Sequence, residues 1–262
     1  SVRAGVWAGA LLLAAGPGAV AESAASPATS LLRLGGVEVL WLAQPGRPDP
    51  VVTYAFAQRM HSFPQAINSR QLKPILPALA GSGIDGAHLR SEARAAFDMW
   101  QSAARISFLE TGDEAAADIL IGAQSEPRGY AFTDVFHDQG AAPRAGIHKS
   151  LIALNPERRW KLGFDGDLTA YDLRYTLAHE IGHAIGLDHP GPAGQIMSYR
   201  YDERLRELQP GDRAGAVQLY GARDVAKDSP ASIGIATSPT PDDPAAADDG
   251  GAFEGRASRA LR

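Results

Sequence analysis

Three histidines inside one short stretch constrain this chain more than any other feature of its sequence. The stretch reads HEIGHAIGLDH and contains His179, His183 and His189. Four residues of α-helix advance the chain by about 400°, so His179 and His183 lie one turn apart on the same face. Gly186 can turn the chain sharply out of the helix and return His189 as a third nitrogen ligand. Three neutral imidazoles and one water form an open catalytic zinc site, and the sequence predicts such a site here.

Glu180 follows the first histidine and is the candidate catalytic residue. Zinc lowers the pKa of a bound water from about 15.7 to about 7. From its place beside the first ligand, the Glu180 carboxylate can reach that water, accept its proton and later return it to a leaving amine. HExxH alone arises by accident in charge-rich helices, but the added glycine and third histidine at fixed spacing argue against a chance match.

Hydrophobic periodicity predicts an α+β fold around this motif. Apolar residues at helical spacing indicate helices over 89–104, 170–185 and 210–220. Strand candidates lie at 37–42, 51–56, 106–109, 117–121 and 150–154. Thr169, with Asp172 three residues later, resembles a capping box at the start of the motif helix. Residues 61–87 give no clear element, and residues 122–146 are typical of a loop.

The two ends of the chain differ in composition from its middle. Residues 1–21 combine Arg3, an apolar run and the small residues Ala19-Val20-Ala21, which is the pattern of a secretory signal peptide. Residues 22–35 indicate a leader or linker, and residues 36–221 form the predicted catalytic domain. Residues 222–262 are poor in large apolar side chains, so we expect a disordered tail. This organisation predicts a secreted or periplasmic protein that is not inserted in a membrane once the signal is removed.

Charge and cysteine content exclude several classes of function. The chain carries a net charge of -5 and contains no cysteine. The acidic balance provides no basic footprint for nucleic acid and no polybasic membrane patch. The lack of cysteine excludes disulfides, a thiolate nucleophile and a Cys-ligated zinc. Any metal must therefore be held by His, Asp, Glu, Tyr or backbone groups.

The motif and the residues after it resemble a known family. HEIGHAIGLDHPG is similar to the zinc-binding consensus of the metzincins, and most similar to that of matrixins and their bacterial, serralysin-related relatives. Residues 195–199, QIMSY, resemble the Met-turn, which would put Met197 beneath the three imidazoles as an apolar floor. Tyr199 resembles the tyrosine that astacins and serralysins place near zinc. It is therefore a candidate fifth ligand, or else a tyrosine packed beside the site.

This resemblance covers about residues 36–221 and implies a metzincin fold. In that fold a twisted, mostly parallel sheet packs against two long helices, and the motif helix lies at the base of a cleft. The resemblance also implies a secreted zinc endopeptidase with one catalytic Zn²⁺, a protein or peptide substrate, and a monomeric chain. An edge strand near residues 147–154 would pair with the extended substrate.

The sequence gives less support for a functional role of the other polar residues. Animal matrixins typically hold a structural zinc and calcium ions, but the candidates here lack a matching spacing and are interpreted as surface residues: His137, Asp138 and His148. His61 and His88 have no partners at ligand spacing and are also interpreted as surface residues. Asp188 either orients the loop that carries the third ligand or is a solvated turn residue.

Two competing readings stay open at this point. In a gluzincin a downstream glutamate replaces the third histidine, and Glu203 and Glu207 are candidates for that ligand. A catalytically inactive, zinc-stabilised protein-binding module would keep the metal without cleaving, although the intact Glu180 argues against it. The sequence does not define the specificity pocket, for whose wall three arginines are candidates: Arg200, Arg204 and Arg206.

Overall fold

The computed structural model describes residues 28–138 and 143–223 of the chain. The predicted signal peptide and nearly all of the predicted tail lie outside these residues. The strands are β1 Arg33–Leu34, β2 Val37–Leu40, β3 Val51–Phe56, β4 His61–Ser62, β5 Gln71–Lys73, β6 Ser107–Glu110, β7 Ile119–Gln124, β8 Ala131–His137, β9 Arg144–Leu154, β10 Trp160–Lys161 and β11 Tyr171–Asp172. The helices are α1 Ile75–Ala80, α2 Gly86–Ala103, α3 Leu173–Ala184 and α4 Pro210–Tyr220.

The main sheet is mostly parallel, which confirms the predicted α+β class. Strands β2, β9, β7, β3 and β6 lie side by side in this order and run parallel. Four further strands join antiparallel, β1 to β2, β5 to β7, β4 to β5 and β8 to β9. A separate two-stranded pair, β10 with β11, precedes the motif helix α3.

The edge strand is β8, so the prediction of an edge strand near residues 147–154 was wrong. Strand β9 is internal, because Ser150–Leu154 pair with β7 on one side while β8 pairs along the other. Residues 122–146 were also misread as a loop, since they contain all of β8 and the start of β9. Within the described residues, no strand pairs with the outer side of β8.

The helices cover one face of the sheet and bury the larger core. Ile119 and Ile121 point into this core with α2 and α3, whereas Leu120 belongs to a smaller cluster on the opposite face. Trp100 of α2 is fully buried, and its indole N–H donates a 2.9 Å hydrogen bond to the Ala178 carbonyl of α3. The two predicted long helices therefore pack directly against each other.

Capping residues explain where two helices begin. Helix α2 starts at Gly86 rather than at residue 89, because the Asp85 carboxylate accepts hydrogen bonds from the N–H of Ala87 and His88. Helix α3 starts at Leu173 rather than at residue 170, and its N-cap is Asp172 instead of Thr169. Residues 171–172 are held in the β10–β11 pair and cannot join the helix.

The residues before β2 pack on this unit although the sequence assigned them to a leader. The Leu32 N–H donates to the Gly186 carbonyl at 2.8 Å, and the Asp188 N–H donates to the Ser30 carbonyl at 2.9 Å. This segment therefore lies against the loop that carries the third histidine. None of the helices in the described part of the chain combines the length and apolar content that crossing a bilayer requires.

Replacement of Trp100 tests the packing between α2 and α3. We expect Trp100→Ala to lower the free energy of unfolding by about 3–5 kcal/mol, because a fully buried indole is lost. Leu168→Ala is the control, since Leu168 is 61% exposed, and should change stability by less than about 0.5 kcal/mol. Urea unfolding followed by circular dichroism measures both values. Equal effects of the two substitutions would contradict this packing.

Candidate metal centre

The three predicted histidine ligands come together at one point. His179 and His183 lie one turn apart on α3, and His189 lies in the loop after the helix. Each Nε2 atom is 3.2 Å from the other two. Two nitrogen ligands at about 2.0–2.1 Å from a tetrahedral zinc would be separated by about 3.3 Å. The triangle of nitrogens therefore has the size that a zinc ion needs.

Backbone carbonyls fix the orientation of the two helical imidazoles. The Nδ1 atom of His179 lies 2.7 Å from the Ile196 carbonyl, and Nδ1 of His183 lies 2.9 Å from the Leu187 carbonyl. A carbonyl oxygen can only accept, so each Nδ1 donates and each Nε2 presents a lone pair to the triangle. Lone pairs at this separation repel each other, and a cation between them removes the repulsion. The donor set thus fits Zn²⁺.

Burial keeps these rings in the protonation state that binds metal. Burial lowers the pKa of His179, and the neighbouring His183 lowers it further. Burial also lowers the pKa of His183 to about 4 and shifts the pKa of His189 downward. All three imidazoles are therefore neutral at neutral pH, so that protons do not compete with a metal for Nε2.

Residues 195–197, which resemble a Met-turn, pack against the motif helix α3. Met197 is 2% exposed, and its thioether fills the space that a Cβ on Gly182 would need, between the two helical ligands. The carboxylate of Asp212 on α4 accepts hydrogen bonds from the N–H groups of Ile196 and Met197 at 2.9 and 3.0 Å. Because the Ile196 carbonyl holds the first histidine, Asp212 connects α4 to the orientation of that ligand.

A close backbone approach shapes the loop to the third histidine. Gly186 has a φ of 99°, and a Cβ there would overlap the Val39 carbonyl oxygen. Only glycine can adopt this positive φ and also leave room for the Val39 oxygen without strain. Beyond the turn, the Asp188 carboxylate accepts a 2.7 Å hydrogen bond from the His189 N–H, which favours its predicted role in orienting the loop.

Glu180 is buried beside the ligands and contacts the edge strand. It is 6% exposed, and burial raises the pKa of its carboxyl, while His179 and a hydrogen bond from Thr133 lower it. The Thr133 hydroxyl, on β8, lies 2.6 Å from Glu180 Oε2. The carboxylate thus lies where α3, β8 and the metal ligands meet.

A cleft of about 960 Å³ contains the three histidines and Glu180. Strand β8 forms one wall. A stack of aromatic rings lines part of the cleft, in which Tyr171 lies 3.5 Å from Tyr130 and 4.2 Å from Tyr201, centroid to centroid. On the other side of β8, Asp134 accepts hydrogen bonds from the backbone N–H groups of residues 67–69 and fixes that loop at the rim of the cleft.

Tyr199 lies at the mouth of the site but is not enclosed by it. Its ring packs against His189 with centroids 4.3 Å apart, and the residue is 67% exposed. Ligation of a metal by its hydroxyl stays a prediction.

The glutamates of the gluzincin alternative do not join the histidines. Glu203 forms an ion pair with Lys161 and accepts a 2.7 Å hydrogen bond from the Gly166 N–H. Glu207 lies in the same irregular segment. Among the described residues, the three histidines form the one group of at least three His, Asp or Glu side chains with the spacing of a metal site.

The arginines proposed for the pocket wall do not line the cleft. Arg204 pairs with Asp202, and Arg206 lies over the ring of Phe164. Of residues 200–208, only Tyr201 lines the cleft.

The prediction that His61 is a surface residue was wrong. Its Nε2 lies 2.6 Å from Glu114, and the side chain is 12% exposed. His88 is half exposed, as expected, and is paired with Asp85. His137 and His148 line the cleft, and no group of three candidate ligands among the described residues includes them.

Substitution of Gly186 tests the turn that returns the third ligand. We expect Gly186→Ala to lower the free energy of unfolding by about 2–3 kcal/mol and to weaken zinc binding, because the added Cβ meets backbone. Gly191→Ala in the same loop is the matched control, since nothing lies within 4 Å of its Cβ position. Denaturation in EDTA measures the free energy of unfolding, and a chelator competition assay measures the zinc affinity. Wild-type zinc affinity in Gly186→Ala would be inconsistent with this geometry.

Known proteins are similar to parts of this chain. Metalloendoproteinase 4-MMP of Arabidopsis thaliana is 30% identical over 197 residues, which are 68% of this chain and 49% of that protein. Karilysin of Tannerella forsythia is 27% identical over 134 residues, or 49% of this chain and 28% of its own length. Stromelysin-3 of Mus musculus is 30% identical over 153 residues, or 55% of this chain and 29% of its own.

The chain spans about half or less of the length of these curated relatives. The sequence profile of the matrixin family matches residues 79–221, which is more than half of the chain and includes α2, the edge strand and all three histidines. This chain therefore belongs to the matrixin family.

Proposed function

We propose that this protein is a zinc-dependent endopeptidase that acts outside the cytoplasm on extended polypeptides. One observation carries the proposal. The Nε2 atoms of three neutral imidazoles converge in a cleft that also contains the buried carboxylate of Glu180. His179, His183 and His189 would hold one Zn²⁺. All these groups come from one chain, so we propose that a monomer is sufficient.

The substrate would bind along β8. The outer side of an edge strand offers unpaired N–H and C=O groups, which can pair with an extended peptide. Because successive side chains of such a peptide point to opposite faces, every second one enters the cleft toward α3. The tyrosine rings of the cleft would contact one of these side chains.

Glu180 would move the proton in the hydrolysis. Zinc, when bound, supplies a Lewis acid that acidifies water and polarises the scissile carbonyl. The Glu180 carboxylate accepts the proton of the attacking water and returns it to the amine as the peptide bond breaks. Its burial favours this exchange, because desolvation raises the proton affinity of the carboxylate. The imidazoles stay neutral throughout.

Export is the second part of the proposal. It rests on the signal-peptide pattern in residues 1–21, which lie outside the described residues. A reporter enzyme fused after residue 30 should be recovered outside the cytoplasm. Retention of the reporter in the cytoplasm would contradict export.

Replacement of Glu180 tests the activity. We expect the zinc-loaded protein to cleave casein, and we expect chelators to abolish cleavage. Glu180→Ala should lower kcat by about 10³-fold, because general base catalysis is lost, while one zinc per chain is retained. Peptide mapping of the products and elemental analysis measure both effects.

Two results would contradict the proposal. Equal activity of Glu180→Ala and wild type would remove the base from the mechanism. A zinc-loaded wild type that cleaves nothing in a broad peptide library would favour the inactive binding module.

A further inference from the structure

The hydrogen bond between Thr133 and Glu180 has no role in the hydrolysis described above. The Thr133 hydroxyl lies 2.6 Å from Glu180 Oε2 and 3.1 Å from the Glu180 carbonyl oxygen. A hydroxyl has one proton to donate. The carboxylate oxygen is the closer and the more negative acceptor, so the proton goes to Oε2.

A base on a flexible side chain benefits from such a contact. A glutamate has three rotatable bonds, and its carboxylate must present one oxygen to the reacting water. A hydrogen bond at Oε2 leaves Oε1 as the oxygen that is free to accept a proton. Because Glu180 is 6% exposed, few water molecules compete for Oε2.

Thr133 also links two parts of the site that have different tasks. It belongs to β8, along which the proposed substrate lies, whereas Glu180 belongs to α3, which carries two metal ligands. The next side chain on β8, Asp134, points to the opposite face and holds residues 67–69. A change at position 133 therefore leaves that anchor in place.

We propose that Thr133 is a positioning residue, whose hydroxyl holds one oxygen of Glu180 so that the other faces the attacking water. This inference rests on the proposed function. It assigns to the edge strand a task in catalysis in addition to binding the peptide backbone.

Two substitutions at this position separate the hydroxyl from the shape of the side chain. Thr133→Val keeps the branched shape and removes the hydroxyl, whereas Thr133→Ser keeps the hydroxyl. A hydrogen bond to a charged group contributes about 1.5–3 kcal/mol, which corresponds to about a 10- to 160-fold change in rate. We expect Thr133→Val to lower kcat by this factor with KM within about twofold, and Thr133→Ser to stay within about threefold of wild type.

Two further readouts distinguish positioning of the carboxylate from general damage to the site. In the Glu180→Ala background, Thr133→Val should have no added effect beyond about twofold, because there is no carboxylate to position. Crystal structures of the zinc-loaded proteins should show Glu180 bonded to Thr133 in the wild type and a displaced or multiple carboxylate in Thr133→Val. Zinc content should match wild type in both single variants.

Four outcomes would overturn the inference. They are full activity of Thr133→Val, equal impairment of Thr133→Val and Thr133→Ser, a change in KM alone, and an unmoved Glu180 carboxylate in the Thr133→Val crystal. If the wild type is active and any of these results appears, this inference fails and the proposed function stands. If the wild type itself cleaves nothing, both fail together.

Discussion

The convergence of three imidazole nitrogens on one point is the constraint on which the rest of this structure depends. The Nε2 atoms of His179, His183 and His189 point at one another from 3.2 Å, and burial keeps the two helical rings neutral at neutral pH. The Nε2 lone pairs of the two helical rings, His179 and His183, repel each other without a cation, so the surrounding fold must hold these rings in place. Metal binding then removes a repulsion that folding has built in.

Separate segments supply that support, and each is itself anchored. The Ile196 carbonyl holds His179 and is fixed by Asp212 of α4, while the Leu187 carbonyl holds His183 from the turn that begins at Gly186. Hydrogen bonds from Trp100 and Trp41 attach α3 to the rest of the core. The motif therefore works as a site because distant parts of the chain fix its geometry.

Local patterns in the sequence were enough to predict the ligands and most elements. The helical spacing of His179 and His183, the glycine of the turn and Pro210 at the start of α4 are all short-range features. The sheet was harder: β8 has a mixed polar pattern because one of its faces points to the cleft and the other to the loop at 67–69, so it was read as a loop. Thr133 and Asp212 were missed because their partners lie 47 and 16 residues away in the chain.

The most direct test of the central claim is X-ray absorption at the zinc edge of the reconstituted protein. We predict one zinc per chain with three imidazole nitrogens at about 2.0–2.1 Å, and two imidazoles in His189→Ala. A first shell of two imidazoles and a protein carboxylate in the wild type, unchanged by His189→Ala, would contradict the account.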